Sequence, residues 1–118
     1  GGFERNGVQY VVGDCTFLLP ATVEEDMYIA RLEALFQEGE EMFGECRWYA
    51  RAREFDHRYF PKGARVGELF RLRTVEVNPL RSIEAKVRIL GSHQAFREAA
   101  EVEPGALDLF FCELFRLR

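Results

Sequence analysis

The sequence predicts a mostly-β fold: a small antiparallel sheet or partly open barrel with one short helix. Three observations predict it. Met42 to Ala50 alternates, with Met42, Gly44, Cys46, Trp48 and Ala50 on one face and Phe43, Glu45, Arg47 and Tyr49 on the other. Ile83, Ala85, Val87 and Ile89 alternate with Glu84, Lys86 and Arg88. Turn signals recur at short intervals: Gly13-Asp14, Gln37-Glu38-Gly39-Glu40, Asn78-Pro79, Gly91-Ser92 and Pro104-Gly105.

The elements follow in chain order. Val8 to Val12 is rich in β-formers and stops at Gly13-Asp14; Cys15 to Leu19 resumes as a strand that Pro20 ends. Val23 to Asp26 is an acidic loop. Met27 to Phe36 carries two signals. Tyr28, Ile29, Leu32, Leu35 and Phe36 also fit a helical stripe, and Glu, Ala and Leu favour helix. The hairpin-like turn at Gln37 to Glu40 and the alternating arm after it favour a strand. Residues 51 to 66 have no clean period and read as a long loop bearing Phe55, Tyr59 and Phe60. Val66 to Val77 suggests one or two strands, ended by a turn at Asn78-Pro79, and Ile83 to Ile89 is the clearest amphipathic strand. Ser92 is placed as the N-cap of a short helix through Ala100. Leu107 to Leu117 closes the fold, with Phe110 and Phe111 pointing to opposite faces.

The 118 residues, 47% of them hydrophobic, suit one domain spanning 1–118 around a single core. Eleven Phe, four Tyr and one Trp supply the apolar area a small β domain needs. Gly1-Gly2 reads as a tag scar, and the chain as a domain excised from a longer protein. No apolar run reaches the roughly 20 residues that span a bilayer, so no membrane partner is expected. A net charge of −4 and a pI near 5.3 argue for a basic partner and for weak or no direct DNA binding. Arg71 and Arg73, with Arg65 nearby, form a basic cluster, whose ordinary reading is a solvated face.

Chemistry is harder to find. Cys15, Cys46 and Cys112 are odd in number, widely spaced and without a CxxC pair, and His57 and His93 are the only histidines. That is a poor ligand set for tetrahedral zinc and reads as small buried thiols in a reducing compartment. No phosphate-binding glycine loop or nucleophile elbow is present. His57 follows Asp56 with no Ser or Cys nearby. No catalytic residue, metal or cofactor is assigned, and the chain reads as a non-enzyme.

Several segments, taken in order, resemble the bromo-adjacent homology (BAH) family of chromatin interaction modules. They are Val12-Gly13-Asp14-Cys15, Met27-Tyr28-Ile29-Ala30-Arg31-Leu32, Cys46 to Glu54 with its Trp48, Glu68-Leu69-Phe70, Ser82 to Val87, and Asp108 to Cys112. Within the family, Ser82 to Leu90 and the Phe110-Phe111 ending are most similar to the first BAH domain of maintenance DNA cytosine-5 methyltransferases. The resemblance implies a nuclear, non-catalytic module that binds a histone H3 or H4 tail, methylated on lysine or not, and touches other domains of a parent chromatin protein. It places Tyr28 and Trp48 in an aromatic cage, Glu54 at the acidic position beside it, and Phe55 in the adjoining loop, from where it could close the cage. A methylated ammonium is weakly hydrated and is drawn to aromatic faces at about 0.5–2 kcal/mol per contact.

Three residues depart from the pattern. Ala50 stands where many readers carry a third aromatic, and Thr74 and Glu76 replace a His-x-Asp pair that helps one branch hold its peptide. A two-walled cage loses about 1–2 kcal/mol, about tenfold or more in affinity. These departures favour one rival, a scaffolding module that reads no mark; a second rival is nucleosome or DNA contact through Arg65, Arg71 and Arg73.

Overall fold

The computed structural model describes residues 2–55, 58 and 63–113. It opens with a hairpin of β1 (Gly2–Arg5) and β2 (Val8–Val11), turned by Asn6 at φ 52 and Gly7 at φ 80. Asn-Gly suits such a turn because both central residues take positive φ. Sequence reasoning gave no β1, although Asn6-Gly7 signals it. The hairpin is a sheet of its own and lays Phe3 and Tyr10, ring centroids 6.2 Å apart, against the main core.

The main sheet has six strands: β3 (Cys15–Leu18), β4 (Tyr28–Glu38), β5 (Glu41–Arg51), β6 (Leu69–Pro79), β7 (Ile83–Leu90) and β8 (Leu109–Phe111). Their order is β6-β5-β4-β3-β7-β8. The fold is the mostly-β, partly open barrel the sequence predicts. Every neighbouring pair is antiparallel except β7–β8, which is parallel. The chain reaches β8 through the helix α1 (His93–Val102), and a parallel pair requires such a crossover. Ser92 caps α1 by accepting the Ala95 N–H at 3.1 Å.

β4 is a strand despite its helical propensity, because it pairs on both edges, with β3 and with β5. Neighbouring side chains on a strand point to opposite faces. Phe17 and Ile29 therefore enter one buried cluster with Leu69 and Val87, while Leu18 and Ala30 enter another with Leu32, Cys46, Leu80 and Ile83. Asn78 and Pro79 do not turn the chain. They still pair with Gly44 and Phe43, and the turn follows as a 3-10 turn at Leu80–Ser82. The closing strand is three residues long where Leu107 to Leu117 was expected; residues 114–118 lie outside the described residues.

The barrel closes where β6 begins. Phe111 N–H donates to the Gly67 carbonyl at 2.9 Å, and Glu68 bridges to Phe111. The buried Glu68 carboxylate pairs with Arg65 at 3.1 Å; Arg65 also pairs with Glu113 and lies 5.0 Å from the Phe111 ring centroid.

β6 then carries a bulge that shapes the site. Arg47 pairs with Val75, yet Tyr49, two residues on, pairs with Arg71, four residues back. Leu72, Arg73 and Thr74 therefore stand opposite Trp48 alone, and the ladder widens beside the indole.

Candidate functional site: an acidic, two-walled aromatic cavity

Beside that bulge lies a cavity of about 370 Å³. β4 and β5 supply its walls. Ala30 is the cross-strand partner of Trp48, so Tyr28 sits on the diagonal from Trp48 and on the same face. The two rings meet edge-on, centroids 5.7 Å apart and planes at 72°. Trp48 also rests against the core cluster that holds Cys46, while Tyr28 is exposed. Extending the Ile29–Tyr49 pair by one step puts Ala50 across from Tyr28, where its methyl group leaves the cavity open.

Carboxylates surround the rings. Tyr28 donates its hydroxyl to Glu25 Oε2 at 2.8 Å. That hydrogen bond, with the charge on Glu25, raises the Tyr28 phenol above its ordinary 10.0 and keeps it a neutral donor. Glu54 lines the cavity while accepting the Arg51 backbone N–H, which caps the 3-10 turn Ala52–Glu54. Glu76 comes from β6, across from Cys46, and shares the lining with Leu72. No Lys or Arg lines the cavity among the described residues. A cation entering it would meet two aromatic faces and acidic oxygens.

The β3–β4 loop is tied down at this rim. Arg51 Nη2 donates to the Met27 carbonyl at 3.0 Å, and Arg53 pairs with Asp26. These contacts tie the loop before Tyr28 to the 3-10 turn that carries Glu54.

The structure therefore gathers three of the four residues singled out in the sequence: Tyr28, Trp48 and Glu54. Phe55 goes elsewhere among the described contacts. Its ring packs edge-on against buried Phe70, centroids 5.6 Å apart, and is not part of the lining. Tyr59, Phe60, Asp56 and His57 lie outside the described residues. Leu72 and Tyr49 are lining residues that sequence reasoning missed, and Glu76 was known only as a departure. Burial pushes the Tyr49 phenol up to about 12, as befits a ring half inside the second core.

The basic cluster is no continuous stripe. Arg65 is occupied by Glu68 and Glu113, and Arg71 pairs across from Tyr49, leaving exposed Arg73 beyond them on β6. A second hollow of about 400 Å³ lies between the 3-10 turn and the start of β6, but Arg51, Arg53 and Arg65 in its wall already hold carboxylates. No described group of three His, Cys, Asp or Glu could hold a metal ion, and no described helix is long and apolar enough to cross a membrane.

The family model for the BAH domain matches residues 8–116. The chain belongs to the BAH family. Among solved structures, this BAH domain is similar to the crystal structure of the yeast Rsc2 BAH domain, with a TM-score of 0.68 and 14% identity. The match covers 94% of this chain and 46% of that one, so the chain spans about half the length of the solved relative. Comparison with curated protein sequences returns no match. At that identity the likeness speaks for the fold alone. BAH domains are chromatin-associated interaction modules, generally without catalytic activity.

Proposed function

We propose that this BAH domain anchors a chromatin protein in the nucleus by binding a histone H3 or H4 tail, with a methylated lysine ammonium seated between Tyr28 and Trp48. One observation carries the reading: an edge-on Tyr28–Trp48 pair opens onto a cavity whose polar lining includes Glu54 and Glu76 and no basic side chain among the described residues. A weakly hydrated cation gains from ring faces and from nearby carboxylates, whereas an anion gains from neither. Direct DNA binding is weak in this reading, because Arg65 is already paired twice.

A second reading is favoured by Ala50, which leaves the cavity with two walls. In it the domain packs against another domain of a DNA methyltransferase or other chromatin protein and reads no mark. The finer kinship with maintenance DNA methyltransferases rests on Ser82 to Leu90 and Phe110-Phe111 alone.

Titration against H3 and H4 tail peptides, unmethylated and methylated, separates the two. The reader predicts selective binding of a methylated peptide, lost about tenfold or more in Trp48→Ala and largely kept in Trp48→Phe. Equal affinity for methylated and unmethylated peptides, or indifference to Trp48→Ala, sinks it.

A further inference from the structure

The cavity occupies one face of the β4–β5–β6 sheet. The other face carries an apolar patch that neither core cluster absorbs. Phe36 and Phe43 are cross-strand partners whose rings stack, centroids 6.0 Å apart and planes at 20°. Neither ring belongs to a described core cluster. Pro79 pairs with Phe43, Val77 with Glu45 and Val75 with Arg47, so all three share this face. Val77 and Val75 are 55% and 40% exposed.

Charge on this face comes in a matching pair. Arg31 and Arg47 are cross-strand partners, and both pair with Glu33, Arg31 at 3.8 Å. Two arginines share one carboxylate there, which leaves one net positive charge. Glu45, the next residue of β5 on the same face, is exposed and has no ion-pair partner among the described residues. It carries the single negative charge that matches. The spacing is symmetric. Arg47 and Glu45 stand one residue either side of Cys46, and Val75 and Val77 stand one residue either side of Glu76, the partner of Cys46. About the level of Cys46, this face is complementary to itself.

We propose that this face joins two copies of the domain, related by a two-fold axis that crosses the strands at Cys46. Such an axis lays each strand antiparallel over its own copy. Glu45 then faces Arg47 of the second copy, and Val77 faces Val75 of the second copy, each contact made twice, as a two-fold interface requires. Sheets packed in this way lie about 10 Å apart, with strands within about 30° of one another. Each Glu45 supplies the charge that the Arg31–Glu33–Arg47 cluster of the other copy lacks. A partner of one sign would leave part of this face unmatched or opposed. Trp48 and Glu76 lie on the other face, so both cavities stay open and the dimer can hold two ligands at once. The interface stands whether or not the cavity takes a methylated lysine.

Sedimentation equilibrium of the 118-residue domain, from micromolar to millimolar concentration, tests it. The expected result is a reversible monomer–dimer equilibrium. Val77→Asp, at an exposed position, should weaken association about tenfold or more and leave the melting temperature of the monomer unchanged. Charge reversal tests the register. Glu45→Arg sets arginine against arginine, and Arg47→Glu sets glutamate against glutamate, so each variant alone should be monomeric. Mixed one to one, the two variants should form a heterodimer, because each copy now supplies the charge the other needs. Circular dichroism checks that every variant is folded. Should Arg47→Glu not fold, for want of its pair with Glu33, Glu45→Arg and Val77→Asp still decide, since both must weaken the dimer. A native domain that stays monomeric at millimolar concentration overturns the proposal. A dimer indifferent to Val77→Asp and to Glu45→Arg also overturns it, by placing the contact on another face. A one-to-one mixture of folded variants that stays monomeric overturns the pairing of Glu45 with Arg47.

Discussion

Gly67 gives its side-chain space to the ring of Phe96: a Cβ on the glycine would stand 2.3 Å from Phe96 Cζ. The contact joins the barrel seam to α1, since Gly67 accepts from Phe111 and Phe96 packs on Phe111 with centroids 5.2 Å apart. Gly67 also holds φ +81, a region costly for other residues. Gly67→Ala is expected to destabilise the domain by about 1–3 kcal/mol from backbone strain, with the ring displacement adding to it. Urea unfolding would show a lower midpoint at an unchanged slope; an unchanged midpoint would mean that the seam tolerates a side chain there.

Arg88 makes a second clasp, pairing with Glu103 and Asp108, each at 2.9 Å. It holds both carboxyls below their ordinary 4.5 and 3.8, mainly through these hydrogen bonds. A folded-state value below the unfolded one stabilises above the unfolded value and is lost as pH falls through the folded value. The stability gap between the native chain and Arg88→Ala should therefore be widest near neutrality and close between about pH 5 and pH 2. Thermal melts across that range check it; a gap independent of pH would assign the loss to packing.

Glu25 acts on the cavity through Tyr28. Glu25→Ala should return the Tyr28 phenol toward its ordinary value, visible in a tyrosinate absorbance titration compared with Tyr28→Phe. It should also weaken a bound cationic peptide by a few-fold through the lost carboxylate. A titration curve identical to the native one would show that the 2.8 Å hydrogen bond does not persist in solution.

Ala50 is where a third wall is missing. Ala50→Tyr should raise affinity for a methylated peptide several-fold, at about 0.5–1 kcal/mol per exposed ring contact. Isothermal titration of the two proteins with one peptide decides it, and weaker binding with unchanged melting would place the ammonium elsewhere.

Much of this was legible because alternation speaks directly to β structure. β5 and β7 lie where their periods put them, and Ser92 caps the helix it was assigned to. The closing strand was expected over Leu107 to Leu117, but the short span of β8 and its parallel pairing were not legible, because a three-residue strand leaves almost no period. At the site, Tyr28 and Trp48 were found through resemblance, yet their diagonal meeting depends on cross-strand register, which no single strand encodes. Glu76 joins them because of the bulge, which shows in pairing and not in composition. Phe55 went astray because a loop aromatic carries no periodicity to say which neighbour it will cover, and buried Phe70 was that neighbour.

The bulge in β6 has a consequence for how this domain tolerates insertions and deletions. Its excess over the β5 partner is two residues, an even number, so side chains beyond it keep their faces. Deleting one residue between Arg71 and Val75 would reverse that order, swinging Glu76 outward and turning Val75 and Val77 toward the indole: an acidic wall becomes an apolar one without any substitution. Deleting two would keep every face and draw the ladder shut over Trp48. The chemical character of the cavity and its width are therefore set by separate features of one short segment, the first by whether its length is odd or even and the second by the length itself.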